Sequence, residues 1–230
     1  MVMLEYPVII INYKAYSTAV GKKAIELSKI ADKVAQEFGV TICVAPQHVD
    51  VPRVAEVVNI PVLAQSIDPI KPGSGTGYVL AEAVKEAGAI GTLINHSEHR
   101  LLLADIEECI TRANAAGLST VVCSNNILTS AAIAAMHPES CAFEPPDLIG
   151  GDVSVTTRPK IVVQVVEAMN KVNPDVIPLT GAGVKTGEDV YTALKLKTQG
   201  VLLASGVTKS KNPKETMSSF AKAIVKFLGK

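Results

Sequence analysis

The sequence predicts an α/β protein in which eight strand–helix units close into a parallel (β/α)8 barrel. Three observations predict it. Short apolar runs alternate with amphipathic segments along the chain, and that alternation implies parallel strands joined by right-handed helical crossovers. The 230 residues shared among eight units give about 29 each, the usual size of one unit. Eight strands also exceed the roughly six of an open doubly wound sheet, which favours closure. No Pro/Gly/Ser-rich linker or low-complexity tract divides the chain, so residues 1–230 are expected to form one domain.

The elements follow in order. Pro7–Asn12 is the first apolar run. "GKKAIELSKIADKVAQEFG" (21–39) then places Ile25, Leu27, Ile30, Val34 and Phe38 largely on one helical face, and Gly39 closes it. Thr41–Ala45 and Pro61–Gln65 are the second and third strands. "VLAEAVKEAG" ends at Gly88, Ile90–Asn95 follows, and "LADIEECITRANAAG" ends at Gly117. Thr120–Ser124 precedes "SAAIAAMH" (130–137), and Cys141–Glu144 precedes "KIVVQVVEAMNKV" (160–172). Val176–Thr180, "GEDVYTALKL" (187–196), Gly200–Ser205 and "KETMSSFAKAIVKFL" (214–228) complete the alternation.

Composition narrows the function. Apolar residues make up 48% and charged residues 19%, a globular balance. Lys+Arg and Asp+Glu are both 22, so no basic excess points to a nucleic-acid partner or an anionic membrane. No apolar stretch reaches the ~18–20 residues of a membrane span, and the start carries no signal-peptide pattern. The four cysteines lack CxxC spacing, and Cys43, Cys123 and Cys141, in predicted strands, read as inert buried thiols, which fits a cytoplasmic protein. His48, His99 and His137 have no metal-site spacing, and "GSGTG" at 73–77 lacks the lysine of a nucleotide loop. No metal is expected.

Several strands end in a polar residue: Asn12, Gln65, His96, Ser124, Glu144, Thr180 and Ser205. A parallel barrel gathers the C-terminal ends of its strands at one mouth, where barrel enzymes place their sites. His96 opens "HSEHR", where Ser97 and Glu98 are expected to cap a helix that starts at once and keeps the imidazole neutral. Glu144 follows an apolar strand. Pro145–Pro146, the apolar tip Leu148–Ile149 and Gly150–Gly151 behind it have the make-up of a lid that would exclude water and raise the carboxylate's basicity. Lys14 would supply one fixed positive charge for an anionic substrate. Gly181-Ala182-Gly183 and Ala204-Ser205-Gly206, after strands seven and eight, can bring backbone N–H groups to a phosphate.

Six motifs in order resemble the triosephosphate isomerase family in its compact archaeal form: "NYK" (12–14), "AQSIDPIKPGSGTG" (64–77), "NHSEHR" (95–100), "EPPDLIG" (144–150), "TGAGVKTGEDV" (180–190) and "GVLLASGVTK" (200–209). That resemblance implies a TIM barrel that interconverts glyceraldehyde 3-phosphate and dihydroxyacetone phosphate without a cofactor. It implies Glu144 as the base, His96 as a neutral electrophile, Lys14 as positive charge and Asn12 as an orienting group. Ile149 and Gly150 would close on the phosphate, and Gly183, Ala204 and Ser205 would give it backbone amides. Glu98 would organise the lysine, with Arg100 as its structural neighbour. Thr76 would lie on a loop that enters a neighbouring subunit, so a homo-oligomer is implied, a tetramer before a dimer. Two alternatives stand beside this reading. One is another phosphate-binding barrel enzyme of the aldolase or indole-glycerol-phosphate type; the other is a barrel that only binds sugar phosphates or scaffolds an assembly.

Overall fold

A computed structural model of the chain describes residues 4–149, 151 and 153–230. Among them, eight parallel strands form one sheet in the order β2-β1-β8-β7-β6-β5-β4-β3. The strands are β1 (Val8–Asn12), β2 (Thr41–Ala45), β3 (Leu63–Ala64), β4 (Gly91–Ile94), β5 (Ser119–Ser124), β6 (Ser140–Phe143), β7 (Ile177–Gly181) and β8 (Gly200–Leu203). A parallel bridge between Val44 and Val62 brings the two edge strands together, so the barrel is nearly closed.

Side-chain parity sorts the strands into two faces. Val8, Ile10, Cys43, Ala45, Leu63, Leu93, Val121, Cys123, Ala142, Leu179 and Leu202 fill the barrel interior. Their alternates, among them Ile9, Ile11, Ile42, Val44, Ile94, Val122, Phe143, Val201 and Leu203, pack outward against the helices. Leu4 lies with the interior set, and its N–H donates to Glu139 Oε1. The barrel is therefore a packed core with its polar positions pushed to the strand ends.

The helices are α1 (Lys22–Phe38), α2 (Val51–Ala55), α3 (Ala81–Glu86), α4 (Leu103–Ala115), α5 (Ile127–Ala134), α6 (Pro159–Val172), α7 (Gly187–Lys195), α8 (Ser205–Thr208) and α9 (Pro213–Phe227). Four differ from the sequence reading, each for a local reason. The face that α1 buries is built on Ala24, Leu27, Ala31, Val34 and Ala35, while Ile25, Ile30 and Phe38 are only half-buried at its margin. Small residues let the helix approach the barrel closely. Five residues with Pro52 leave α2 too short to show a period. The start of α5 lies three residues ahead of Ser130 because the Asn126 side chain accepts the Thr129 N–H at 2.9 Å. β8 stops at Leu203 instead of running to Ser205, and Ser205 opens the single turn α8. Gly39, Gly88 and Gly117 end their helices with positive φ, as their positions predict. No helix among the described residues is long and apolar enough to cross a membrane.

Candidate active site

Asn12 and Glu144 reach the mouth by simple continuation of strand parity. Val8 and Ile10 face inward, so Asn12 does; Ala142 faces inward, so Glu144 does. His96 does not follow this rule. Leu93 points in and Ile94 out, so an unbroken strand would aim residue 96 at the helices. Asn95 breaks the strand with φ 58°, a left-handed conformation that asparagine tolerates better than most residues. Its Nδ2 donates to the Cys123 carbonyl at 2.9 Å and its Oδ1 accepts the Leu101 N–H at 3.0 Å. That twist turns the imidazole back over the mouth.

No helix starts at Ser97, contrary to expectation. Residues 96–99 form a tight turn closed by His99 N–H to the His96 carbonyl at 2.7 Å, and α4 begins only at Leu103. The imidazole is kept neutral by other means. The Glu98 N–H donates to His96 Nδ1 at 3.2 Å, so Nδ1 is the acceptor and the ring proton sits on Nε2. Burial, with the Lys14 ammonium nearby, lowers the His96 pKa to about 4. A neutral ring thus points an N–H donor into the site.

Glu144 is 6% exposed. Burial raises its carboxyl to about 7, with Lys14 pulling the other way. Its Oε2 lies 3.5 Å from His96 Nε2 and has no hydrogen-bond partner among the described residues. The two groups face each other across a gap too short to hold a substrate between them. Glu144 also borders a second cavity of about 290 Å³ behind it, shared with Cys123, Arg100 and Ser97. Ser97 Oγ is likewise buried without a partner among the described residues. The carboxylate therefore has room to withdraw.

Lys14 has φ 49°, a left-handed conformation that costs a non-glycine residue roughly 1–2 kcal/mol. Three side chains hold it there. Asn12 Oδ1 accepts the Lys14 N–H at 2.9 Å, while Gln47 Nε2 and Gln65 Nε2 donate to its carbonyl at 2.7 and 3.0 Å. The ammonium donates to Glu98 Oε1 at 2.9 Å. Gln47 escaped the sequence reading, and Gln65 entered it only as a polar strand end. Their positions at the ends of β2 and β3 were the available signal.

Asn12, Lys14, His96, Glu144, Ile149, Gly183, Ala204 and Ser205 line one small cavity. Eight residues at or just beyond the ends of β1, β4, β6, β7 and β8 are brought together. Of the polar strand ends, Asn12, His96, Glu144 and Ser205 are among them. Gln65 lines an adjoining cavity, whereas Ser124 turns to Ser130 of α5 and Thr180 Oγ1 donates to the Phe143 carbonyl. The expected lid segment caps it: Leu148 is buried, Ile149 is half-buried and Gly151 N–H returns to the Leu148 carbonyl at 3.1 Å. Gly150 lies outside the described residues. Ala182 and Gly183 have consecutive positive φ values of 74° and 71°. A Cβ on Gly183 would stand 2.0 Å from the Val153 carbonyl oxygen, so only glycine fits beneath the lid's returning limb. Ser205 begins α8, whose leading N–H groups lack intrahelical acceptors. Glu98 and Thr76 border an adjoining cavity of about 580 Å³ with Asn12, Lys14 and His96. Among the described residues no group of three or more His, Cys, Asp or Glu side chains could hold a metal ion.

Fold and site together define the class. This is a (β/α)8-barrel enzyme whose mouth pairs a buried carboxylate of raised basicity with a neutral imidazole donor and a fixed ammonium. Comparison with known proteins narrows the class further: the triosephosphate isomerase family model matches residues 7–226. A triosephosphate isomerase of Methanocaldococcus jannaschii is 53% identical over 217 residues, which cover 94% of this chain and 99% of that protein. Those of Methanobacterium bryantii and Caldivirga maquilingensis are 50% and 49% identical, covering 93% and 96% of this chain and 95% and 99% of their own lengths. The chain belongs to the triosephosphate isomerase family and is an intramolecular oxidoreductase of the aldose–ketose isomerase class.

Proposed function

We propose that this chain interconverts D-glyceraldehyde 3-phosphate and dihydroxyacetone phosphate by proton transfer through an enediolate. The observation that carries the reading is the pairing of an unpartnered, buried Glu144 oxygen with the Nε2 side of a neutral His96 in one cavity. Glu144 takes a proton from one substrate carbon and returns it to the next. His96 Nε2–H donates to the carbonyl oxygen, and Lys14 stabilises the negative charge that develops there. Asn12 orients the ligand and holds Lys14. Gly183, Ala204 and Ser205 present backbone N–H groups to the phosphate, and Ile149 and Gly150 close over it. Glu98 fixes the ammonium. This scheme calls for no cofactor.

Substrate entry requires the lid to lift and Glu144 to withdraw toward Ser97, since 3.5 Å separates it from His96. We place the protein in the cytoplasm, in line with four free, buried cysteines, and read residues 1–230 as one domain. We read the chain as a homo-oligomer, a tetramer before a dimer by family resemblance; the exposure of Leu102, Leu103 and Leu128 at the starts of α4 and α5 supports association between copies. Thr76 and its exposed loop would serve the same assembly. Assay of Glu144→Gln tests the scheme. Turnover should fall by about 10²–10⁴-fold while inorganic phosphate still competes with substrate. Unchanged turnover would remove Glu144 from the role of base.

A further inference from the structure

Asp189 makes more hydrogen bonds than its place in α7 requires. As the third residue of that helix it completes a capping box with Thr186: Thr186 Oγ1 accepts the Asp189 N–H at 3.1 Å, and Asp189 Oδ2 accepts the Thr186 N–H at 2.9 Å. The same oxygen also accepts the Lys185 N–H at 3.1 Å and the Thr186 hydroxyl at 2.8 Å. Oδ1 turns elsewhere. It accepts the Thr156 hydroxyl at 3.1 Å, from a residue 33 positions away on the returning limb of the lid. No helix cap needs that bond.

The limb and the loop after β7 meet at two further places. The Val155 N–H donates to the Ala182 carbonyl at 3.1 Å, and the Val153 carbonyl rests on Gly183 so closely that no Cβ fits. Ser154 Oγ lies 2.8 Å from Thr156 Oγ1 and extends the network along the limb. One carboxylate thus bridges both segments on the far side of Gly183, through hydrogen bonds strengthened by its charge.

We propose that Asp189 is a positioning residue that, through Thr156, ties the lid's returning limb and the phosphate-binding loop into one body. It touches neither substrate nor reacting atoms. By fixing the two segments to each other it keeps the Gly183 amide under the lid without a fresh entropic cost at each closure. The inference rests on reading Gly183 as part of the phosphate seat. Loosening the tether should weaken the grip on the enediolate's phosphate. In that intermediate the carbon–oxygen bond to phosphate can break, its electron pair leaving with inorganic phosphate; the remaining enol then loses its hydroxyl proton and takes one up at the terminal carbon, becoming methylglyoxal.

Thr156→Val tests the tether while leaving the capping box whole. KM for triose phosphate should rise about threefold to tenfold, and the inorganic phosphate released per isomerisation should rise by a similar factor. The thermal midpoint should stay close to that of the parent. Thr156→Ser, which keeps the hydroxyl, should restore both values. An unchanged KM and phosphate release in Thr156→Val would overturn the proposal, as would a Thr156→Ser protein equally impaired. Gly183→Ala, measured beside them, separates the two readings. If it leaves KM unaltered, the phosphate seat lies elsewhere and the underlying reading fails; if it raises KM while Thr156→Val does not, only the tether fails.

Discussion

At the scale of single residues, Glu144 and His96 carry the pH behaviour. A base must be ionised to take a proton, so kcat/KM should decline as pH falls below about 7, the value to which burial raises the Glu144 carboxyl. The same shift sets a stability slope. Between the ordinary carboxyl value of 4.5 and about 7, the folded protein keeps a proton that the unfolded chain has released. Rising pH therefore costs stability across that window. His96 has the opposite sign. Its value drops from 6.5 to about 4, so between those limits the unfolded chain holds the extra proton and rising pH favours the fold. The slopes oppose each other where the windows overlap, and above pH 6.5 Glu144 acts alone. Glu144→Gln should accordingly be more stable than the parent at pH 8, by roughly 2–4 kcal/mol, and about equal to it at pH 4. Denaturant melts at the two pH values decide the matter; equal stability at pH 8 would mean that the carboxylate is not held against its solvation.

Gly181 shows how closely packed the base is. A Cβ there would lie 2.4 Å from the Leu202 carbonyl oxygen and 2.8 Å from Glu144 Oε1. Gly181→Ala should lose about 1–3 kcal/mol of stability and reduce kcat at the same time, because the methyl displaces both the neighbouring strand and the carboxylate. Calorimetry beside a rate assay separates these effects. A destabilised protein with parental kcat would show that Glu144 adjusts freely.

At the scale of elements, the segment after β4 matters most. Its strand parity aims residue 96 away from the mouth, and the left-handed turn at Asn95 reverses that direction. Asn95→Ala removes both side-chain hydrogen bonds that hold the turn and leaves a residue that resists positive φ. A fall in kcat of about 10–100-fold is expected, with KM nearly unchanged, since the phosphate contacts lie on other strands. A matching rise in KM would show that the turn also shapes the substrate seat. The clamp on Lys14 has the same logic: Gln47 and Gln65, from two further strands, converge on one carbonyl to hold a strained backbone.

At the scale of the whole molecule, the apolar side chains left at the starts of α4 and α5 bear on assembly. Leu128 is 82% exposed and Leu102 75%, values that fit burial against other copies. Leu128→Glu should reduce the assembly's size in light scattering, with kcat per chain retained if each barrel carries its own complete site. An undiminished mass would exclude this face from the interface.

Much of this protein could be read along the chain because it depends on local pattern. The alternation of apolar runs with helical periods predicts eight strands, the glycines at 39, 88 and 117 mark helix ends, and the polar strand ends nominate Asn12, His96 and Glu144. Parity and period are properties of neighbouring residues, so the amino-acid order alone determines them. Direction and contact are not. Whether His96 faces the axis depended on one dihedral angle at Asn95, and its neutrality on burial and the nearby Lys14 ammonium rather than on the helix expected there. The Glu144–His96 separation, the two glutamines on Lys14 and the Thr156–Asp189 bond join residues 33 or more positions apart. Only closure of the barrel sets such distances, because hydrogen bonding and burial act through space and no sequence period encodes them.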